Sequence, residues 1–140
     1  MAAYAAPGNQ NSQYNQYKQQ SAMTASPGEL TLMLYDGCIK DLKLARTYIS
    51  DKEFVKSNDA SQKAQAIIAE LMRTLDARYE VGKQLLALYD FILDLIVRSN
   101  VKKDTGLIDQ AMEFISEIRD TWQQAVKLNR RQVFGKGSAV

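Results

Sequence analysis

Residues 26–49 read SPGELTLMLYDGCIKDLKLARTYI. Ser26 is a good N-cap, Pro27 suits the first helical position, and Glu29 stands three residues after Ser26, as in a capping box. A helix is therefore expected from Ser26-Pro27 to about Ile49. Its polar stripe holds Asp36, Lys40, Lys43 and Thr47. One apolar face carries Leu30, Met33, Leu34, Cys38, Ala45 and Ile49, and an adjacent second face carries Leu32, Tyr35, Ile39 and Leu42. That arc is wider than the ~100° stripe a surface helix needs to meet one core.

Working outward, three more helical patterns follow. Asp51-Lys52-Glu53 is expected to begin a helix that reaches about Leu75, with Phe54, Ala64, Ile68, Leu71 and Met72 at helical spacing. Polar Asn58 and Ser61 on its inner stripe predict that the first half packs loosely or lies partly outside the core. After a connection over 76–82, a helix is expected from about Val81 to Val101. In its stretch Leu85–Val97 only Asp90 and Asp94 are polar, so it should be buried on several sides. Lys102–Gly106 closes it, and a last helix should run to about Leu128 on Ile108, Ala111, Met112, Ile115, Ile118 and Trp122. No period-2 strand pattern of useful length and no internal repeat is present. Four helices with short links predict an all-α fold, an antiparallel four-helix bundle over residues 25–129. Tyr35, Tyr89 and Trp122 are expected to be core aromatics with their polar atoms near the rim.

The flanks differ from this bundle. Residues 1–24 include a run, Asn9–Gln20, in which eight of twelve positions are Asn or Gln. Tyr14 and Tyr17 are its large apolar groups, and their spacing would put both on one face of a helical turn. The segment is expected to be mobile or a short docking piece. Residues 130–140 are expected to be a short disordered basic tail. Lys127, Arg130, Arg131 and Lys136 give the last fourteen residues four positive charges and no acid.

Composition then narrows the chemistry. The 140-residue chain suits one domain, and its net charge is only +2. It has one cysteine, Cys38, and no histidine. The usual metal and haem ligand sets and a Ser-His or Cys-His pair are therefore missing. Glu29, Glu53, Glu70, Glu113 and Glu117 fall at helix starts or on polar stripes, not as a di-iron motif. No cofactor is expected. No broad basic face argues for nucleic acid. The N-terminus lacks a signal-peptide pattern and no run is long enough to enter a membrane, so a cytoplasmic protein is expected. What stands out is apolar surplus on the first and third helices. A second copy, the N-terminal segment or a partner helix could cover it.

The run Met23-Thr24-Ala25-Ser26-Pro27-Gly28-Glu29-Leu30, continued by Thr31-Leu32-Met33-Leu34-Tyr35-Asp36-Gly37, resembles the signature of the flagellin export chaperone family, FliS. Lys63-Ala64-Gln65-Ala66-Ile67-Ile68, Leu88-Tyr89-Asp90, Asn100-Val101-Lys102-Lys103-Asp104 and Arg119-Asp120-Thr121-Trp122 resemble later motifs in order. The resemblance implies a non-enzymatic bundle that binds the C-terminal region of unassembled flagellin, prevents early polymerisation and presents it to the flagellar type III export gate. It also implies that Tyr14 and Tyr17 serve in gate docking or in covering the groove. Where the family often has a basic pair, this chain has Phe91-Ile92-Leu93-Asp94-Leu95-Ile96, which favours a hydrophobic client contact or a homodimer. The flagellin groove is expected along Leu32, Tyr35, Ile39 and Leu42, with Ile67, Leu71, Leu86 and Leu93 as weaker candidates. The competing reading is an oligomeric structural or adaptor bundle without a flagellin client. An enzyme is a distant third.

Overall fold

A computed structural model describes residues 25–139, with backbone alone at 130 and 132–139. The expectations for residues 1–24, including Tyr14 and Tyr17, lie outside the described residues. Four helices are described: α1 Pro27–Ser50, α2 Phe54–Arg73, α3 Glu80–Lys102 and α4 Thr105–Ala139. They form the expected all-α bundle. Each helix packs on its two neighbours around a square, so α1 meets α2 and α4, and α3 meets α2 and α4. Cross-helix bonds set an antiparallel register. Trp122 reaches Gly28, Arg119 reaches Asp36 and Arg46 reaches Asp109 between α1 and α4.

The start of α1 forms as the local chemistry dictates. The Glu29 amide donates to Ser26 Oγ at 3.2 Å, and the Ser26 amide donates to the Glu29 carboxylate at 3.4 Å. This capping box satisfies two of the amides that a helix start leaves without partners. The other end differs from expectation. Lys52 takes a left-handed φ of 59°, which carries the chain out of α1. Asp51-Lys52-Glu53 is therefore the turn itself, and α2 begins one residue later, at Phe54.

The first half of α2 also corrects the sequence reading. Ser57, Ala60, Ser61 and Ala64 are all buried, so small side chains bring α2 close to its neighbours instead of packing loosely. Ser57 Oγ is satisfied by donating to the Phe54 carbonyl, as a buried hydroxyl must be. Asn58, beside them, accepts from Asn100 of α3 at 2.8 Å.

Gly82 decides how α3 enters the bundle. A Cβ there would sit 2.0 Å from the Asp76 carbonyl oxygen, because the 76–79 turn folds back onto the first turn of α3. At its far end α3 stops at Lys103, whose left-handed φ of 54° lets its amide bond to the Ser99 carbonyl. The Lys103 ammonium then donates to Ser57 Oγ and Asn100 Oδ1, tying this end of α3 to α2.

The helix α4 runs to Ala139, past Leu128, where the sequence places its end. No proline interrupts Asn129–Phe134, and Arg and Gln are good helix formers, so backbone bonding continues through the expected tail. Gly135 and Gly137 weaken a helix by roughly 1 kcal/mol each but leave it bonded. The core consists of side chains such as Tyr35, Cys38, Leu42, Ala64, Ile68, Leu71, Tyr89, Ile92, Ile96, Ile108 and Ile115. All four helices contribute. α3 is one corner of this square rather than a central strut, and its Phe91, Val97 and Val101 remain exposed.

Candidate functional site

The eight residues expected to line a groove do not share one surface. Tyr35, Leu42 and Leu71 are core, exposing 0%, 0% and 2% of their surface. They can shape a site but offer no open face. The arc of α1 looked too wide because both faces feed one core, Cys38, Ala45 and Ile49 from the first and Tyr35 and Leu42 from the second. Leu32 and Ile39 are partly buried on the edge that holds Asp36, whose carboxylate accepts from Arg119 of α4 at 2.7 Å. Ile67 lies against Gly37 in the α1–α2 seam. Leu86 and Leu93 stand two turns apart on α3, in line with Asn100, on the edge turned toward α2. The opposite edge of α3 faces α4, where Phe91 meets Phe114 edge-on at 5.4 Å. Three separate seams thus divide the predicted set.

The larger apolar feature is at the bundle end where α1 begins. A cavity of about 430 Å³ opens there among all four helices, with Leu30, Leu34, Leu75, Leu85 and Trp122 in its wall. A second hollow of about 400 Å³ adjoins it between α3 and α4 and shares Leu85 and Trp122. Val81, 72% exposed, forms part of its rim. Sequence reasoning named two of its wall residues, Tyr35 and Leu71, but not Leu30, Leu34, Leu75, Leu85 or Trp122, because the cavity exists only where the ends of α1, α2 and α3 meet the middle of α4. Leu75 and Leu85 flank the 76–82 connection, and that placement of large apolar residues beside a turn is the signal that could have found them. A depression along α1 around Ile39 is lined by that one helix and flanked by Lys40 and Lys43.

Trp122 organises the end cavity. Its Nε1–H donates to the Gly28 carbonyl at 2.8 Å, and its ring meets Tyr35 edge-on at 6.3 Å. Gly28 permits this closeness, since a Cβ there would stand 3.1 Å from Val126. Behind the tryptophan, Tyr35 and Tyr89 meet across the bundle diagonal with their hydroxyls hydrogen-bonded to each other. These oxygens lie in the interior rather than at the rim, contrary to the expectation from sequence. Burial raises both phenol pKa values, and the Tyr35 contact raises that of Tyr89 further, so both stay neutral.

Nothing here is arranged for bond-making chemistry. Cys38 is buried, and burial first, with the Asp41 charge second, pushes its thiol up to about 12. A nucleophile needs the opposite shift. Among the described residues no group of three or more acidic, histidine or cysteine side chains could hold a metal, and no helix is long and apolar enough to cross a membrane. Asp94 is engaged by Arg98 at 2.9 Å on the exposed side of α3.

Comparison with known proteins places this architecture. The family model for the flagellar protein FliS matches residues 9–129. The chain belongs to the FliS family. It is 40% identical to the flagellar secretion chaperone FliS of Bacillus subtilis over 124 residues, covering 89% of this chain and 93% of that protein. It is 31% identical to the flagellar secretion chaperone FliS of Salmonella typhimurium over 115 residues, covering 79% and 85%. A crystal structure of a bacterial flagellar chaperone has the same fold, with a TM-score of 0.68 at 21% identity, covering 80% of this chain and 96% of that one. As a member of the FliS family the protein is a chaperone of flagellum biogenesis, a non-enzymatic role.

Proposed function

We propose that this FliS-family chain acts in the cytoplasm as an export chaperone for flagellin. It binds the C-terminal region of the unassembled subunit, holds off polymerisation and hands the subunit to the flagellar type III export apparatus. The observation that carries this reading is the open apolar cavity at the end of the bundle, continuous with the hollow between α3 and α4. Concave apolar surface of this size takes large side chains from an amphipathic or extended segment. Leu86, Leu93, Val97 and Val101 along α3 offer a second strip for the same partner. Leu32, Ile39 and Ile67 border it only through other seams.

Residues 1–24 join the bundle at Ala25, beside the cavity mouth at Pro27 and Gly28. They are proposed to cover the cavity when no client is bound, with Tyr14 and Tyr17 supplying apolar area or docking on the export gate. The competing reading, a homodimer or larger bundle without a client, is favoured by exposed Phe91, Val97 and Val101. Titration calorimetry and light scattering with full-length and C-terminally truncated flagellin separate the two. Binding of full-length flagellin alone supports the chaperone reading. No binding to either, with a stable dimer, overturns it.

A further inference from the structure

The last turns of α4 carry charge opposite to that of the bundle. Trp122 and Val126 of α4 lie against Gly28, in the first turn of α1. Residues 127–139 therefore carry the helix about 20 Å past the start of α1, at 1.5 Å per residue. Lys127, Leu128, Asn129 and Arg131 are all exposed along this arm. Lys127, Arg130, Arg131 and Lys136 fall in it, and no acid follows Asp120. Residues 1–126 hold fourteen bases against sixteen acids, a small negative excess.

The charged face of a helix is ordinarily only solvated, and two observations set this one apart. Six arginines have described side chains, and five of them, Arg46, Arg73, Arg78, Arg98 and Arg119, pair with a carboxylate. Arg131 is the sixth, and among the described residues neither it nor Lys127 has an ion pair. The two also stand four apart, a like-charge spacing that weakens a helix until a counter-charge arrives. Arg130 and Phe134 complete an i, i+3, i+4, i+7 series, which puts positions 127, 130, 131 and 134 on one side of the helix. That side gathers three basic positions around an aromatic one.

We propose that the α4 arm is a docking helix for an anionic lipid surface, with Lys127, Arg130 and Arg131 meeting lipid phosphates and Phe134 entering the headgroup layer. The choice of a membrane rests on the secretion reading above, since a secreted cargo has a membrane to cross. None of the three hollows described above includes an arm residue, so this side suits a flat, charge-dense surface rather than a shaped ligand. Basic helices that carry apolar side chains bind such surfaces from outside, without spanning them. The same surface repels the negative excess of residues 1–126, which favours contact through the arm alone. The arm lies mostly beyond residues 9–129, which match the family model, so its neutralisation is expected to spare client binding.

The test uses the full chain and vesicles of mixed phosphatidylglycerol and phosphatidylcholine, read by sedimentation. One basic residue near an anionic surface strengthens partitioning about 5-fold, so Lys127→Gln/Arg131→Gln should bind about 30-fold more weakly than wild type at low salt. Salt at about 0.5 M should release the wild-type chain, and vesicles of phosphatidylcholine alone should bind neither protein. The variant should keep the wild-type thermal midpoint, because both side chains are exposed. No binding of wild type to the anionic vesicles, equal binding by the variant, or equal binding to the neutral vesicles would overturn the inference. Displacement of the vesicles by polyuridylic acid or polyglutamate at equal charge concentration would also overturn it, since the arm would then serve a soluble polyanion. Calorimetry with flagellin keeps the two readings apart. A wild-type chain that binds vesicles but not flagellin refutes the chaperone reading alone, and one that binds flagellin but not vesicles refutes the arm alone.

Discussion

Replacing Gly82 by alanine isolates one steric contact. No glycine among the described residues has positive φ, so Gly82→Ala faces no penalty from backbone dihedrals. Helix propensity alone favours the change by about 1 kcal/mol, since alanine is the better helix former. The added methyl would stand 2.0 Å from the Asp76 carbonyl oxygen and 2.9 Å from its carbon. Both are backbone atoms, so no side chain can rotate away. The turn must move by more than an ångström. That displacement strains the Tyr79 amide bond to the Asp76 carbonyl at 3.4 Å and the Lys83 amide bond to Tyr79 at 3.0 Å. Overpacking of this kind costs roughly 1–3 kcal/mol, and a lost backbone bond adds about 1 kcal/mol. Against the propensity gain, the net loss should be about 1–3 kcal/mol. In urea, with an m-value on the order of 2 kcal/mol/M, the midpoint should fall by about 0.5–1.5 M at unchanged m. Flagellin affinity should fall as well, because Leu75 and Leu85 flank this turn and line the cavity. An unchanged or raised midpoint would refute the reasoning, since propensity would then outweigh a contact that the turn relieves freely.

Ser26→Ala removes the side-chain half of the capping box and should cost about 1 kcal/mol, with faster amide exchange confined to the first turn of α1; a Ser26→Asp variant should restore it. The Cys38 thiol, raised from 9.0 to about 12, should resist thiol reagents in the folded chain at pH 8 and react once urea unfolds it. Its linkage has a definite sign. The folded state holds the proton that the unfolded state releases above pH 9, so its contribution is full below pH 9 and is lost as pH rises toward 12. Cys38→Val should flatten that part of the pH–stability curve relative to wild type; superimposable curves would show that the thiol does not contribute. Deleting residues 1–20 should tighten flagellin binding about tenfold if the cover is closed nine-tenths of the time, read by calorimetry. Equal affinities would leave docking as the role of that segment.

Residue by residue, the helices were legible where local chemistry is sufficient. Ser26, Pro27 and Glu29 define the start of α1 within a few residues, whereas the near-continuous apolar run of α3 hid its inner face, which the structure places at Ile92, Leu95, Ile96 and Ser99. Family membership was likewise legible, because its motifs lie in order along the helices. Which side chains meet across helices was not. Helical periodicity says that Leu32, Tyr35, Ile39 and Leu42 lie on one side of α1, but it cannot say which neighbour lies there. Tyr35 and Leu42 turned out to face the core, while Leu32 and Ile39 sit at the α4 edge.

What the sequence by itself determined is the set of amphipathic helices, their short links and the absence of histidine and of a second cysteine. The helices and links follow from caps, turn residues and a period of 3.6, all of which act over a few neighbouring positions. What only the tertiary structure decided is how positions from different helices meet. The Tyr35–Tyr89 bond spans 54 residues of chain, the Trp122–Gly28 bond spans 94, and the cavity between them belongs to all four helices. Such contacts depend on the rotation and register of whole helices. Those are settled by the fit of side chains across the core, including the small residues of α2 and the missing Cβ of Gly82.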